Sequence, residues 1–211
     1  MIESNDCREL QIILATCFIF LLRLKDEALP LRRGLPTDGP SLSLRSAERH
    51  SAVFVHSNAL HVVLRSRKNR DEGTHLVRPC SCGSVPADLK RLVSWREICP
   101  VHVVGAFVRS KKHGEALFPS ITYKFILDKM KEAGRAEAAP ANFGTQSLRR
   151  GAAQSIVACG GNLRDILVAG EWSSKAFREY LDREEIFKAG ILEQAKGKAR
   201  DVLGSSDDDS E

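Results

Sequence analysis

The sequence predicts an α+β fold that is mostly α-helical, with one small antiparallel β-sheet. Two observations carry this expectation. Only the stretch from Val53 to Val77 alternates apolar and polar residues with the period of a half-buried strand. Most of the rest shows helical spacing, punctuated by capping residues and glycine stops. With 211 residues and 43% hydrophobic content, the chain can bury a real core.

The elements follow in order. Residues 8 to 29 read as one or two helices broken near Pro30, and Ile12 to Leu22 is apolar apart from Thr16. That run is too short to span a bilayer. Glu3, Asp6 and Glu9 precede it, which is wrong for the basic start of a signal peptide, so it reads as a buried helix. A loop rich in Pro, Gly and Ser runs from Arg33 to about Ser51. Two or three short strands follow, carrying Val53 and Val55, then Leu60, Val62 and Leu64, then His75 to Val77. A basic turn, Lys68 to Gly73, separates the last pair.

From Pro86 onward the pattern is helical. Val101 to Val108 forms one helix. Ser120 caps the next, which places Ile121, Phe125, Ile126 and Met130 on one face and ends at Gly134. Ser147 to Cys159 is stopped by Gly160-Gly161. Asn162 caps Leu163 to Val168, and Gly170 ends that helix. Ser173 or Ser174 caps a helix through Tyr180, and the charged stretch Glu184 to Leu203 completes the fold. Residues 204–211 carry four acids and no base, an acidic tail expected to be disordered. The net charge is +5, or about +9 without that tail, a balance that suits a polyanionic partner.

Residues that carry chemistry cluster in two places. Gln146-Ser147-Leu148-Arg149-Arg150-Gly151 sets two arginines in the first turn of a helix, where outward amides favour an anion and a guanidinium can fork onto two phosphate oxygens. Some thirty residues on, Tyr180 has the basic neighbours Lys175 and Arg178. Arg65, Arg67, Lys68 and Arg70 crowd the hairpin turn, a charge run suited to tracking a DNA backbone.

In combination these segments resemble the catalytic domain of the tyrosine recombinases, the phage-integrase family. Phe20-Leu21-Leu22-Arg23-Leu24-Lys25-Asp26-Glu27-Ala28-Leu29 looks like the family's first arginine motif. Thr145 to Ala153 is similar to its His-x-x-Arg motif. Ala169-Gly170-Glu171-Trp172-Ser173-Ser174 is similar to its Leu-Gly-His motif, with Tyr180 nine residues after Glu171. Lys68 matches the position of the family's hairpin lysine. The likeness covers about residues 10 to 190 and is strongest to the divergent branch of eukaryotic mobile elements. It implies the tyrosine-recombinase catalytic fold over residues 1–203, without the family's N-terminal core-binding clamp domain.

The resemblance also implies the chemistry. Arg23 and Arg149 neutralise the non-bridging oxygens, Tyr180 attacks to form a covalent 3′-phosphotyrosyl ester, and Lys68 protonates the leaving 5′-oxygen. No metal or cofactor is required for that step. Double-stranded DNA is the implied substrate, and a homotetramer on DNA the implied assembly. The implied location is the nucleus in a eukaryote and the cytoplasm otherwise. Gln146 and Glu171 stand where the family has histidines. Glutamine cannot shuttle protons near neutral pH, and Trp172 beside Glu171 is the candidate for that histidine's packing and hydrogen-bonding role. Two alternatives stay open: a recombinase-fold protein that has lost catalysis and only binds DNA, and a helix-turn-helix regulator built from Ser147–Cys159 and Leu163–Val168.

The second cluster is Cys80-Ser81-Cys82 with Cys99-Pro100-Val101-His102. Three thiolates and an imidazole make an acceptable structural zinc set, and reduced unliganded cysteines are the alternative. Cys17 and Cys159 read as small hydrophobes in helices. His50, His56, His61, His75 and His113 are expected to form no comparable group.

Overall fold

The computed structural model describes residues 4–36, 50–65, 67, 73–82, 98–136 and 144–170. Helix α1, Ser4–Phe20, is the central element. Its apolar run packs against the sheet and against the segment around residue 100. Ile13, Cys17, Ile19 and Phe20 are fully buried, as the apolar run requires. Thr16, the one polar residue in it, is satisfied within the helix, its hydroxyl donating to the Ile12 carbonyl at 2.7 Å. Among the described residues no helix is long and apolar enough to cross a membrane.

The chain turns sooner than Pro30. Leu21 sits in the left-handed region with φ +52°, and the Leu22 amide reaches back to the Cys17 carbonyl. A left-handed leucine costs about 1–2 kcal/mol, and its fully buried side chain offsets that. A wide π-helical turn, Leu24–Ala28, follows.

The sheet has four strands in the order β1 (Arg32–Arg33), β2 (Ala52–His56), β3 (Ala59–Leu64) and β4 (Thr74–Pro79). It is mixed, which corrects the antiparallel expectation. β1 lies parallel to β2, at the start of the stretch read as loop. Two residues are too few to show a period of two, so this pairing left no trace in the sequence pattern. β2 and β3 form a tight hairpin through Ser57 and Asn58, both at positive φ, the backbone that a two-residue hairpin loop demands. β4 pairs antiparallel with β3. Val53, Leu60, Val62, Leu64 and Leu76 point to the core.

The span read as one helix from Val101 is a π-helical turn, Pro100–Val104, running into α2, Gly105–Ser110. Helix α3, Tyr123–Ala136, starts later than expected. Its cap is Thr122, whose hydroxyl accepts the Phe125 amide, whereas the Ser120 amide is spent on the buried Glu9 carboxylate. Helix α4 spans Thr145–Ala158. It ends as the sequence predicts, with Gly160 at φ +77° and the Gly161 amide bonded to the Ile156 carbonyl. Asn162 caps α5, Leu163–Gly170, in a reciprocal pair with Asp165.

Candidate active site and metal cluster

Arg23 and Arg149 come from distant parts of the chain and line one pocket of about 210 Å³, together with Leu24, Lys25, Asp26, Tyr123, Thr145 and Gln146. Arg23 lies on the extended stretch between the Leu21 turn and the π-helical turn. Arg149 lies deeper, on the buried side of α4, 3% exposed. The helix starts at Thr145, so Arg149 belongs to its second turn and not its first. The residues at the helix start are Thr145 and Gln146, and both line the pocket. Arg150, the neighbouring guanidinium, faces solvent, as does Arg65.

Glu27 organises the pocket wall. Its carboxylate is buried and accepts the Arg23 amide at 2.7 Å and the Arg23 guanidinium at 3.1 Å. Arg67, three residues past the end of β3, approaches the same carboxylate with Nε at 3.0 Å and Nη2 at 3.4 Å. Burial alone would raise the Glu27 carboxyl, but the Arg67 hydrogen bonds and charge outweigh it, helped by the Arg23 amide and the Arg149 charge. The group is held below the usual carboxylate range. Arg67 was a candidate DNA contact from sequence, yet its side chain is only 7% exposed and turned inward.

Arg67 also reaches Gly170. Its Nη1 donates to that carbonyl at 3.2 Å, and Arg78 Nη2 donates to the Ala169 carbonyl at 3.0 Å. Both acceptors are at the carboxyl end of α5, where unpaired carbonyls favour a cation. Arg78 Nε further binds the Ile19 carbonyl, and its guanidinium lies 5.2 Å from the Phe20 ring centre. One carboxylate and two guanidiniums thus tie the Arg23 turn, the hairpin and α5 together. Lys68, Arg70, Glu171, Trp172, Lys175 and Tyr180 lie outside the described residues.

The second cluster forms where β4 ends and the π-helical turn begins. Cys80, Cys82, Cys99 and His102 place their ligand atoms within 4.8 Å of one another. His102 Nδ1 lies 3.6, 3.1 and 3.2 Å from the sulfurs of Cys80, Cys82 and Cys99, and the Cys80 and Cys99 sulfurs are 3.5 Å apart. Sulfurs about 2.3 Å from one tetrahedral ion would sit about 3.7 Å apart, so the spacing fits with little adjustment. Burial pushes the Cys99 thiol up, but hydrogen bonds from the His102 and Ser81 backbone bring it down to about 5. The Cys82 thiol, hydrogen-bonded to Cys99, is pushed up to about 11. The four residues can hold a metal ion.

A third group was not expected. His61 and His75 approach to 3.0 Å between His61 Nδ1 and His75 Nε2, their rings meeting edge to edge with planes 28° apart. Sequence reasoning missed them because nothing marks them until the strand register is known. Lys25, Asp26, Tyr123 and Thr145 were also missed as pocket residues, since only the fold brings α3 to the Arg23 turn.

No family model, curated protein or solved structure matches this chain.

Proposed function

We propose that this chain cleaves and rejoins DNA strands in the manner of a tyrosine recombinase, with Tyr180 as nucleophile. The observation that carries the reading is the meeting of Arg23 and Arg149 in one pocket. Two guanidiniums on one small cavity suit a phosphodiester, whose developing charge they would stabilise in the transition state. In the proposed step the Tyr180 hydroxyl gives its proton to solvent, its oxygen bonds to phosphorus and the bond to the 5′-oxygen breaks. That oxygen takes a proton from Lys68, and the reverse attack by a 5′-hydroxyl restores the strand. The ester keeps the bond energy, so ATP is not consumed. Double-stranded DNA is the proposed substrate, with four copies assembling on it.

Gln146 lines this pocket where the resemblance would place a histidine. That favours a second reading, a DNA-binding protein that holds phosphate without cutting. Relaxation of supercoiled plasmid without ATP or added metal, with SDS trapping of adducts, separates the two. Wild type is expected to relax the plasmid and yield an adduct, Tyr180→Phe to do neither while retaining DNA affinity, and Arg149→Ala to lose cleavage and part of that affinity. Equal cleavage by Tyr180→Phe would remove Tyr180 from the mechanism. Salt-dependent binding with no adduct in wild type would favour the second reading.

For Cys80, Cys82, Cys99 and His102 we propose structural zinc. All four positions would be filled by protein, which leaves none open for catalysis. Bound there, zinc would pin the end of β4 to the segment leading into α2.

A further inference from the structure

We propose that His61 and His75, assisted by His56, form a second transition-metal site on the exposed side of the sheet, one that takes a borderline divalent ion such as zinc. This does not rest on the DNA reading, nor on the cysteine cluster.

The register creates the group. Phe54 pairs with His61 across β2 and β3, which puts His56 on the same face as His61. Val63 pairs with His75 across β3 and β4, which puts His75 on that face too. This face is the opposite of the one that carries Val53, Leu60, Val62, Leu64 and Leu76 into the core. Three imidazoles from three adjacent strands therefore share one surface. The ring centres of His61 and His75 are 5.2 Å apart, and those of His56 and His61 are 6.1 Å apart.

The hydrogen bonds then fix which nitrogen is available. His61 Nε2 lies 3.2 Å from the His56 carbonyl, an acceptor only, so Nε2 carries the proton and Nδ1 keeps its lone pair. A ring nitrogen donating to a backbone carbonyl while the other faces a metal is the usual orientation of a ligating histidine. Phe54 stacks on the His61 ring at 5.0 Å and 10°, which holds its plane. Partial burial, with repulsion from His56 on His61 and from His61 on His75, keeps both imidazoles below their ordinary range, which favours the neutral, ligating form.

The spacing suits one ion. Two nitrogens about 2.0–2.1 Å from a metal lie about 2.9 Å apart at a right angle and about 3.4 Å apart in a tetrahedron; the observed separation is 3.0 Å. Without metal the contact is a hydrogen bond from His75 Nε2–H to His61 Nδ1. Metal binding frees His75 Nε2 by moving its proton to Nδ1 of the same ring, so no net proton is released. A rotation of the exposed His56 side chain would bring the third imidazole, and water would complete the shell.

The test is a zinc titration of the full chain, followed by long-range ¹H–¹⁵N spectra of the imidazole rings, which report each nitrogen separately. The expected result is a zinc-dependent shift of His61 Nδ1 and His75 Nε2 that persists in Cys80→Ser. His75→Gln and His61→Asn are each expected to lose that binding equivalent with an unchanged melting temperature, and His56→Gln to weaken it. No shift of the two nitrogens up to millimolar zinc would overturn the site. So would an equivalent retained undiminished in both His75→Gln and His61→Asn.

Discussion

The arginine pocket and the thiol cluster gather their charges by opposite means. Beside the pocket, Glu27 already sits between Arg23 and Arg67, so Arg23 is oriented by a fixed anion before any ligand arrives. In the thiol cluster, the four ligand atoms lie within 4.8 Å of one another with no fixed counter-charge among them. The first arrangement is preorganised, and its cost was met during folding. The second would be completed by a cation, which would link its stability to metal concentration.

This contrast can be broken experimentally. The largest effect is expected from Glu27→Ala, which leaves Arg67 enclosed without its carboxylate. It should cost about 3–5 kcal/mol in urea unfolding, with or without metal; a loss of under about 1 kcal/mol would mean the pair is not organising the pocket. The same carboxylate gives a pH signature. Its folded-state value lies below its unfolded one, so its contribution is present above the unfolded value and lost as pH falls through the folded value. Stability should decline below about pH 4.5, and Glu27→Gln should flatten that decline.

A smaller effect, about 2–4 kcal/mol or several degrees in Tm, is expected for Cys99→Ser in zinc. The difference from wild type should vanish in chelator, and a difference that survives chelation would show that Cys99 acts by packing alone. Smallest is Arg78→Ala, at about 1–2 kcal/mol, from the lost bonds to the Ile19 and Ala169 carbonyls. Its effect should be the same with and without chelator, since these contacts belong to the preorganised side of the comparison.

Local signals were legible in the sequence. The Gly160-Gly161 stop and the Asn162 cap act within one turn, and both are where their chemistry predicts. The cysteine cluster was legible because Cys-x-Cys and Cys-x-x-His bring two ligands each. Arg23 and Arg149 were singled out by resemblance, and their proximity needed the fold. The inward turn of Arg67 was not legible, because a basic hairpin gives no sign that one of its arginines faces a buried carboxylate. The His61–His75 contact depends on the register of two separate strand pairs, which spacing alone does not set. β1 was hidden by its length, and the start of α3 by Glu9, which takes the Ser120 amide from a remote helix.

The Glu27 junction also dictates an order of assembly. The β2–β3 hairpin closes through a two-residue turn and can form early, whereas the Arg67–Glu27 and Arg67–Gly170 bonds join segments far apart in the chain. The Arg23 amide, bonded to the buried Glu27 carboxylate, can exchange its hydrogen only when that junction opens. Its exchange rate therefore reports the opening of the Arg23–Glu27 contact at the pocket's edge.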